Sequence, residues 1–183
     1  KEIRDKIKFV FGVVCNHTPT FNGTEFLFKK YGIDGGKVKN ICFRGGGWPG
    51  GLCILTKDDN SISDIIHEYW RSGFGTFFYN NRCFFCTDQT CELADISFAD
   101  AWLPEFIDDT SGRSLIVVRN INIKFLIESN SSIKLEQIPC DRLLYSQSKL
   151  IIYRKKFKIH VFFRNILKRP SPKYNAKFVE PQI

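Results

Sequence analysis

At 183 residues, 43% hydrophobic and 25% charged, the chain is long enough for one domain with a real core plus an appended segment, and its composition excludes general disorder. No run approaches the roughly 20 apolar residues of a membrane helix, and no basic, apolar leader opens the chain, so it reads as soluble and cytoplasmic. A formal net charge of +8 favours anionic partners: phosphate-bearing cofactors, an acidic protein face or nucleic acid.

The chain starts on Lys1 and reaches strand-like sequence by Phe9, so it reads as a piece of something longer. Phe9 to Cys15 is a short apolar run ending at Asn16, His17, Thr18 and Pro19, the pattern of a buried strand feeding a helix start. From Thr20, Phe21, Phe26, Leu27, Phe28 and Tyr31 form an imperfect helical face, which Gly32, Gly35 and Gly36 end.

Val38–Arg44 and Leu52–Thr56 read as strands either side of Gly45-Gly46-Gly47-Trp48-Pro49-Gly50-Gly51, a hairpin with a special loop. Five glycines around Trp48 and Pro49 carry an entropic cost that close approach of backbone to a flat or phosphate-bearing ligand would justify; a tight turn with a packed tryptophan is the plainer alternative. The spacing matches neither a dinucleotide fingerprint nor a P-loop.

Ser61 or Ser63 is expected to cap a helix carrying Ile65, Ile66, Tyr69 and Trp70, ended by Gly73 and Gly75. Beyond a cysteine-bearing loop, Glu92–Trp102 is compatible with a strand, Leu115–Arg119 is a clear one, Ile121–Ser129 suits a helix and Ile133–Gln137 another strand. Lys149–Lys168 interleaves basic, aliphatic and aromatic residues as a basic helix would, and Arg169–Ile183 reads as a loose tail. The fold class is therefore α/β, with α+β as the alternative: a mixed β-sheet, flanking helices and an irregular cysteine loop, over a domain at 1–147 and an appended segment at 148–183.

Seven cysteines are an odd number, and their spacing is not that of a secreted disulfide framework. The strongest local signal is Cys83-Phe84-Phe85-Cys86-Thr87-Asp88-Gln89-Thr90-Cys91, since two thiolates three positions apart on a turn can reach one metal or cluster. Structural zinc would want a second such pair or paired histidines, but His17, His67 and His160 are scattered. An iron-sulfur cluster needs only thiolates gathered in space, and Cys15, Cys83, Cys86 and Cys91 are the preferred set, with Asp88 as another source of the fourth ligand.

The run from Cys83 to Pro104, with its Ala94-Asp95-Ile96-Ser97-Phe98-Ala99-Asp100-Ala101-Trp102, resembles the central signature of the coenzyme F-420 hydrogenase/dehydrogenase beta subunit family. Cys15-Asn16-His17-Thr18-Pro19-Thr20 and Arg44-Gly45-Gly46-Gly47-Trp48-Pro49-Gly50-Gly51 resemble two further family segments in order and spacing. The resemblance spans residues 8 to 147; Ala99 stands where the family commonly has glycine, and Cys42, Cys53 and Cys91 are not at family cysteine positions.

The resemblance implies an oxidoreductase module with a 4Fe-4S cluster and FAD, passing electrons between coenzyme F-420, or a similar small carrier, and a partner redox centre. It also implies a preceding domain or partner subunit that completes the flavin and substrate sites. Arg44, Gly47, Trp48, Asp95 and Asp100 become the expected cofactor contacts, and no side chain is expected to act as acid, base or nucleophile. Two rival classes are a cofactor-free interaction domain and a nucleic-acid-binding protein using Tyr153, Phe157, Phe162 and Phe163 among the basic residues of the tail; nucleic acid is the weaker of the two.

Overall fold

The computed structural model describes residues 3–147, 150–156 and 158–171. In chain order the elements are β1 (Phe11–Val13), α1 (Phe21–Lys30), β2 (Val38–Gly45), β3 (Gly51–Thr56), β4 (Ser61–Ile65) and α2 (Ile66–Tyr69), followed by a kinked stretch at Trp70–Phe74, where Gly73 has φ of 112°, and by α3 (Gly75–Phe77). After the cysteine loop come β5 (Ile96–Asp100), β6 (Ser114–Val118), α4 (Ile121–Glu128), α5 (Cys140–Ser146), α6 (Leu150–Lys155) and α7 (Lys158–Ile166).

The α/β expectation holds, but with two three-stranded sheets. One is mixed, ordered β1-β5-β6, with β1 parallel to β5 and β6 antiparallel to it; the other is the antiparallel meander β2-β3-β4. Alternation along β3 puts Leu52, Ile54 and Thr56 inward, and Leu52 and Ile54 join Leu27 of α1 and Ile66, Tyr69 and Phe74 in one buried cluster. Tyr69 is fully buried and its hydroxyl donates to the Phe43 carbonyl at 2.6 Å, so its polar end is satisfied inside that core.

Three expectations are corrected. Ser61–Ile65 is a strand: Ser63 pairs with Cys53 and Ile62 with Ile54, so the period-2 alternation around Ile62 and Ser63 wins over the capping signal, and the helix begins only at Ile66. Ile133–Gln137 pairs with no strand among the described residues, and Ile133 and Leu135 stay about two-fifths exposed. The strand expected across Glu92–Trp102 is limited to Ile96–Asp100, because a turn returning the Ala94 amide to the Cys91 carbonyl precedes it.

The basic segment forms two helices, α6 and α7, rather than one. Most of the expected loose tail, residues 172–183, lies outside the described residues.

Candidate functional site

β1 and β5 point the same way, with Phe11 opposite Ile96 and Val13 opposite Phe98. Cys15, two residues past β1, and Asp100, the last residue of β5, therefore leave the sheet at one edge, the carboxyl end of the parallel pair. That edge is where open α/β sheets take their ligands.

The cysteine loop is stitched to this edge by backbone. The Cys15 amide donates to the Gln89 carbonyl at 2.9 Å and the Asp95 amide to the Val10 carbonyl at 2.9 Å, so the loop runs back alongside β1. Gly12 is required there: a Cβ would stand 2.4 Å from that of Cys91. On the other flank the Asn80 amide reaches the Thr18 carbonyl at 3.0 Å, and the Thr18 amide meets the Cys83 sulfur at 3.4 Å.

Of the expected ligands, Cys15, Cys83 and Cys86 come into one neighbourhood. Partial burial pushes the Cys15 thiol up, the Cys83 sulfur adds to this, the Arg154 guanidinium opposes it, and Cys86 again raises it. The Cys86 thiol donates to the Asp88 carbonyl at 2.9 Å. Cys91 is turned another way, its thiol donating to the Val13 carbonyl at 3.1 Å from a backbone with φ of 53°. The Asp88 carboxylate accepts from the Thr90 and Glu92 amides at 3.0 Å each, shaping the loop in place of facing the thiols.

Among the described residues no three His, Cys, Asp or Glu side chains are grouped as the ligands of one metal ion would be. The ligands of a cluster bind different irons, so a looser gathering of thiols is the donor set such a group requires.

Two further residues belong to this neighbourhood. His17, 8% exposed, stacks on Tyr79 with ring centroids 3.7 Å apart, and neither ring nitrogen has a hydrogen-bond partner among the described residues. Burial, and then the Arg154 charge, push its pKa down to about 4. Arg154 of α6 is 3% exposed and donates to the Cys83 carbonyl at 2.7 Å and to the Cys86 carbonyl at 3.4 Å.

The expected cofactor contacts divide. Arg44, at the end of β2, pairs with Asp100 at 3.0 Å and lies over the rings of Trp102 and Trp48, at 5.3 and 5.9 Å from their centroids. The two indoles are 4.5 Å apart, and the Trp48 Nε1–H donates to the Phe106 carbonyl at 2.9 Å. Gly46, Gly47 and Gly50 carry φ of 81°, 87° and 81°, left-handed values that explain the glycine run without a ligand and hold Trp48 on Gly112.

Asp95 belongs to a different job. Its carboxylate accepts the Val10 amide at 2.8 Å and the Asn120 side chain at 2.7 Å, with the Asn120 bond and then the Val10 amide holding its pKa below the usual carboxylate range. It ties β1 and the start of α4 to the entrance of β5.

A cavity of about 600 Å³ opens on the far side of Thr18, walled by Phe21, Phe43, Trp70 and Phe74, with Thr20, Thr24 and Asn80 among its polar lining. Sequence reasoning named none of Trp102, Tyr79, Arg119 or Arg154 for the site. Trp102 and His17 stood inside the quoted motifs and were legible there; Arg119, which donates to Ser97 Oγ at 2.9 Å and the Thr90 carbonyl at 3.2 Å, and Arg154 are brought in by tertiary packing alone.

The edge-on thiol group, the glycine-turned tryptophan and the mixed sheet define an α/β module built around a cysteine loop. Residues 1–141 match the family model for the carboxy terminus of the coenzyme F420 hydrogenase/dehydrogenase beta subunit, and the chain belongs to that family. Among solved structures it is similar to a chain of the F420-reducing [NiFe] hydrogenase complex from Methanosarcina barkeri, with a TM-score of 0.52 and 15% identity over 88% of this chain. That likeness is one of fold, and this chain spans about half, 53%, of the other's length. A comparison with curated proteins gave no significant match.

Proposed function

We propose that this chain is the cluster- and flavin-bearing module of an oxidoreductase that moves electrons between a deazaflavin such as coenzyme F-420, or a similar carrier, and a partner redox centre. The observation that supports the reading is the docking of the cysteine loop on the carboxyl end of the β1–β5 pair, through the Cys15 amide on the Gln89 carbonyl and the Thr18 amide on the Cys83 sulfur, in a chain of this family. A 4Fe-4S cluster held there would pass single electrons, and FAD beside it would exchange them for hydride.

The chain's own residues have definable parts in this. Cys15, Cys83 and Cys86 supply thiolates, and the Thr18 amide gives one of those sulfurs a hydrogen bond of the kind that tunes a cluster. Cys91, the third thiol of the loop and the fourth of the expected set, would have to surrender its bond to the Val13 carbonyl to serve as a thiolate. Arg44 presents a half-exposed cation flanked by Trp48, Trp102 and Asp100, a surface suited to a flavin's phosphates and ring edge, with Gly47 serving the turn that sets Trp48 there. The cavity beside Thr18 has the size and aromatic lining of a planar-ring site.

The test is anaerobic purification of the full chain with iron, sulfide, zinc and flavin analysis and a visible spectrum. About four irons and four sulfides per chain, the content of a 4Fe-4S cluster, with absorbance that bleaches on reduction and is lost in Cys15→Ala, Cys83→Ala and Cys86→Ala, is the expected result. One zinc per chain, or a colourless protein that no added iron and sulfide can load, would overturn it; the second outcome points to an interaction domain.

A further inference from the structure

The family model ends at residue 141, yet the helices beyond it return to the cysteine loop at three places. Arg154 of α6 donates to the carbonyls of Cys83 and Cys86 at 2.7 and 3.4 Å, its neighbour Lys155 pairs with Glu92, and Arg164 of α7 lies over the Phe85 ring at 5.0 Å. Arg154 is the unusual member, because a guanidinium only 3% exposed has been taken out of water. Such a charge is costly unless its surroundings answer it, and the carbonyls of Cys83 and Cys86, which its fork meets, are part of that answer and set the cation beside the cysteine loop. Its field already reaches both Cys15 and His17.

We infer that Arg154 is a positioning and charge-compensating residue of the cysteine site, supplied from outside the family domain: its fork fixes the Cys83–Cys86 turn and its fixed positive charge favours the more negative, reduced state of a cluster bound there. The inference rests on the cluster reading above. One-electron reduction adds one negative charge within the field of the guanidinium, so losing that cation disfavours reduction and lowers the potential. Arginine does not titrate in the working range, so the effect is independent of pH near neutrality.

The experiment loads the full chain and its Arg154→Met and Arg154→Lys variants anaerobically with iron and sulfide, then titrates each with a chemical reductant while following absorbance and electron paramagnetic resonance. Expected is a reduction equilibrium about tenfold less favourable in Arg154→Met, 59 mV for a one-electron couple, and closer to the parent in Arg154→Lys, which keeps the charge and loses the fork. If Arg154→Met holds no cluster, Arg154→Lys decides: a retained cluster with near-parental potential supports the inference, and loss in both overturns the charge role. A loaded parent whose potential does not move in Arg154→Met sinks this inference alone, whereas a parent that never loads sinks the cluster reading and this with it.

Discussion

His17 carries the clearest pH signature of any single residue. Its folded pKa of about 4 lies below its ordinary value of 6.5, so the unfolded chain binds the proton first as pH falls. Stability is therefore full above pH 6.5 and declines between 6.5 and 4, at a slope of at most about 1.4 kcal/mol per pH unit. Melting temperatures across that window should show the slope in the parent chain and a reduced one in His17→Gln; equal slopes would assign the acid sensitivity elsewhere. Gly12 makes a second residue-level prediction: in Gly12→Ala the new methyl meets Cys91 and Ala94, so overpacking of about 1–3 kcal/mol is expected, read as a lower denaturant midpoint. His17 and Gly12 differ in how visible they are from sequence: His17 lies within a quoted motif, whereas the demand on Gly12 exists only because a loop from 79 residues later is folded against it.

At the level of elements, β3 is the strand on which the antiparallel sheet depends, flanked by β2 and β4 and fully covering Ile54. Ile54→Ala should cost about 2–5 kcal/mol in chemical denaturation, while Phe21→Ala, at a side chain 89% exposed, should leave the midpoint nearly unchanged. The hairpin of β2 and β3, the strand β6 and the helices α1 and α4 were legible in the sequence because apolar patterning and glycine punctuation are local signals. Ser61–Ile65 was misread because Ser61 and Ser63 satisfy a capping rule and a strand's alternation equally, and only pairing with β3 decides between them. The division of the strands into two sheets had no local signal, since strand order is a property of long-range contacts.

Over the whole molecule, the cysteine loop is gripped from three sides: by β1, by Arg119 at the end of β6, and by α6 and α7. A chain ending at residue 147 should keep both sheets but loosen this loop. Amide hydrogen exchange of Cys83–Glu92 is expected to accelerate while that of β2, β3 and β4 is unchanged; uniform acceleration would show that the last helices support the whole fold and not the loop in particular. The thiol group was legible as residue types, from the spacing of Cys83 and Cys86 and the strand-end position of Cys15. The Arg154 guanidinium was not, because 68 residues separate it from Cys86 and nothing in the basic run marks one cation as the buried one.

The three-residue strand β1 finds its parallel partner 85 residues later, at the pairing of Phe11 with Ile96. Contacts so distant form late, after the cost of closing a long loop has been met. During synthesis, Cys15 would leave the ribosome well before Cys83, and Arg154 after both. A nascent chain that has made only β1 thus has no gathered thiols, because the loop that carries Cys83 and Cys86 to the Cys15 end of that strand is still to come.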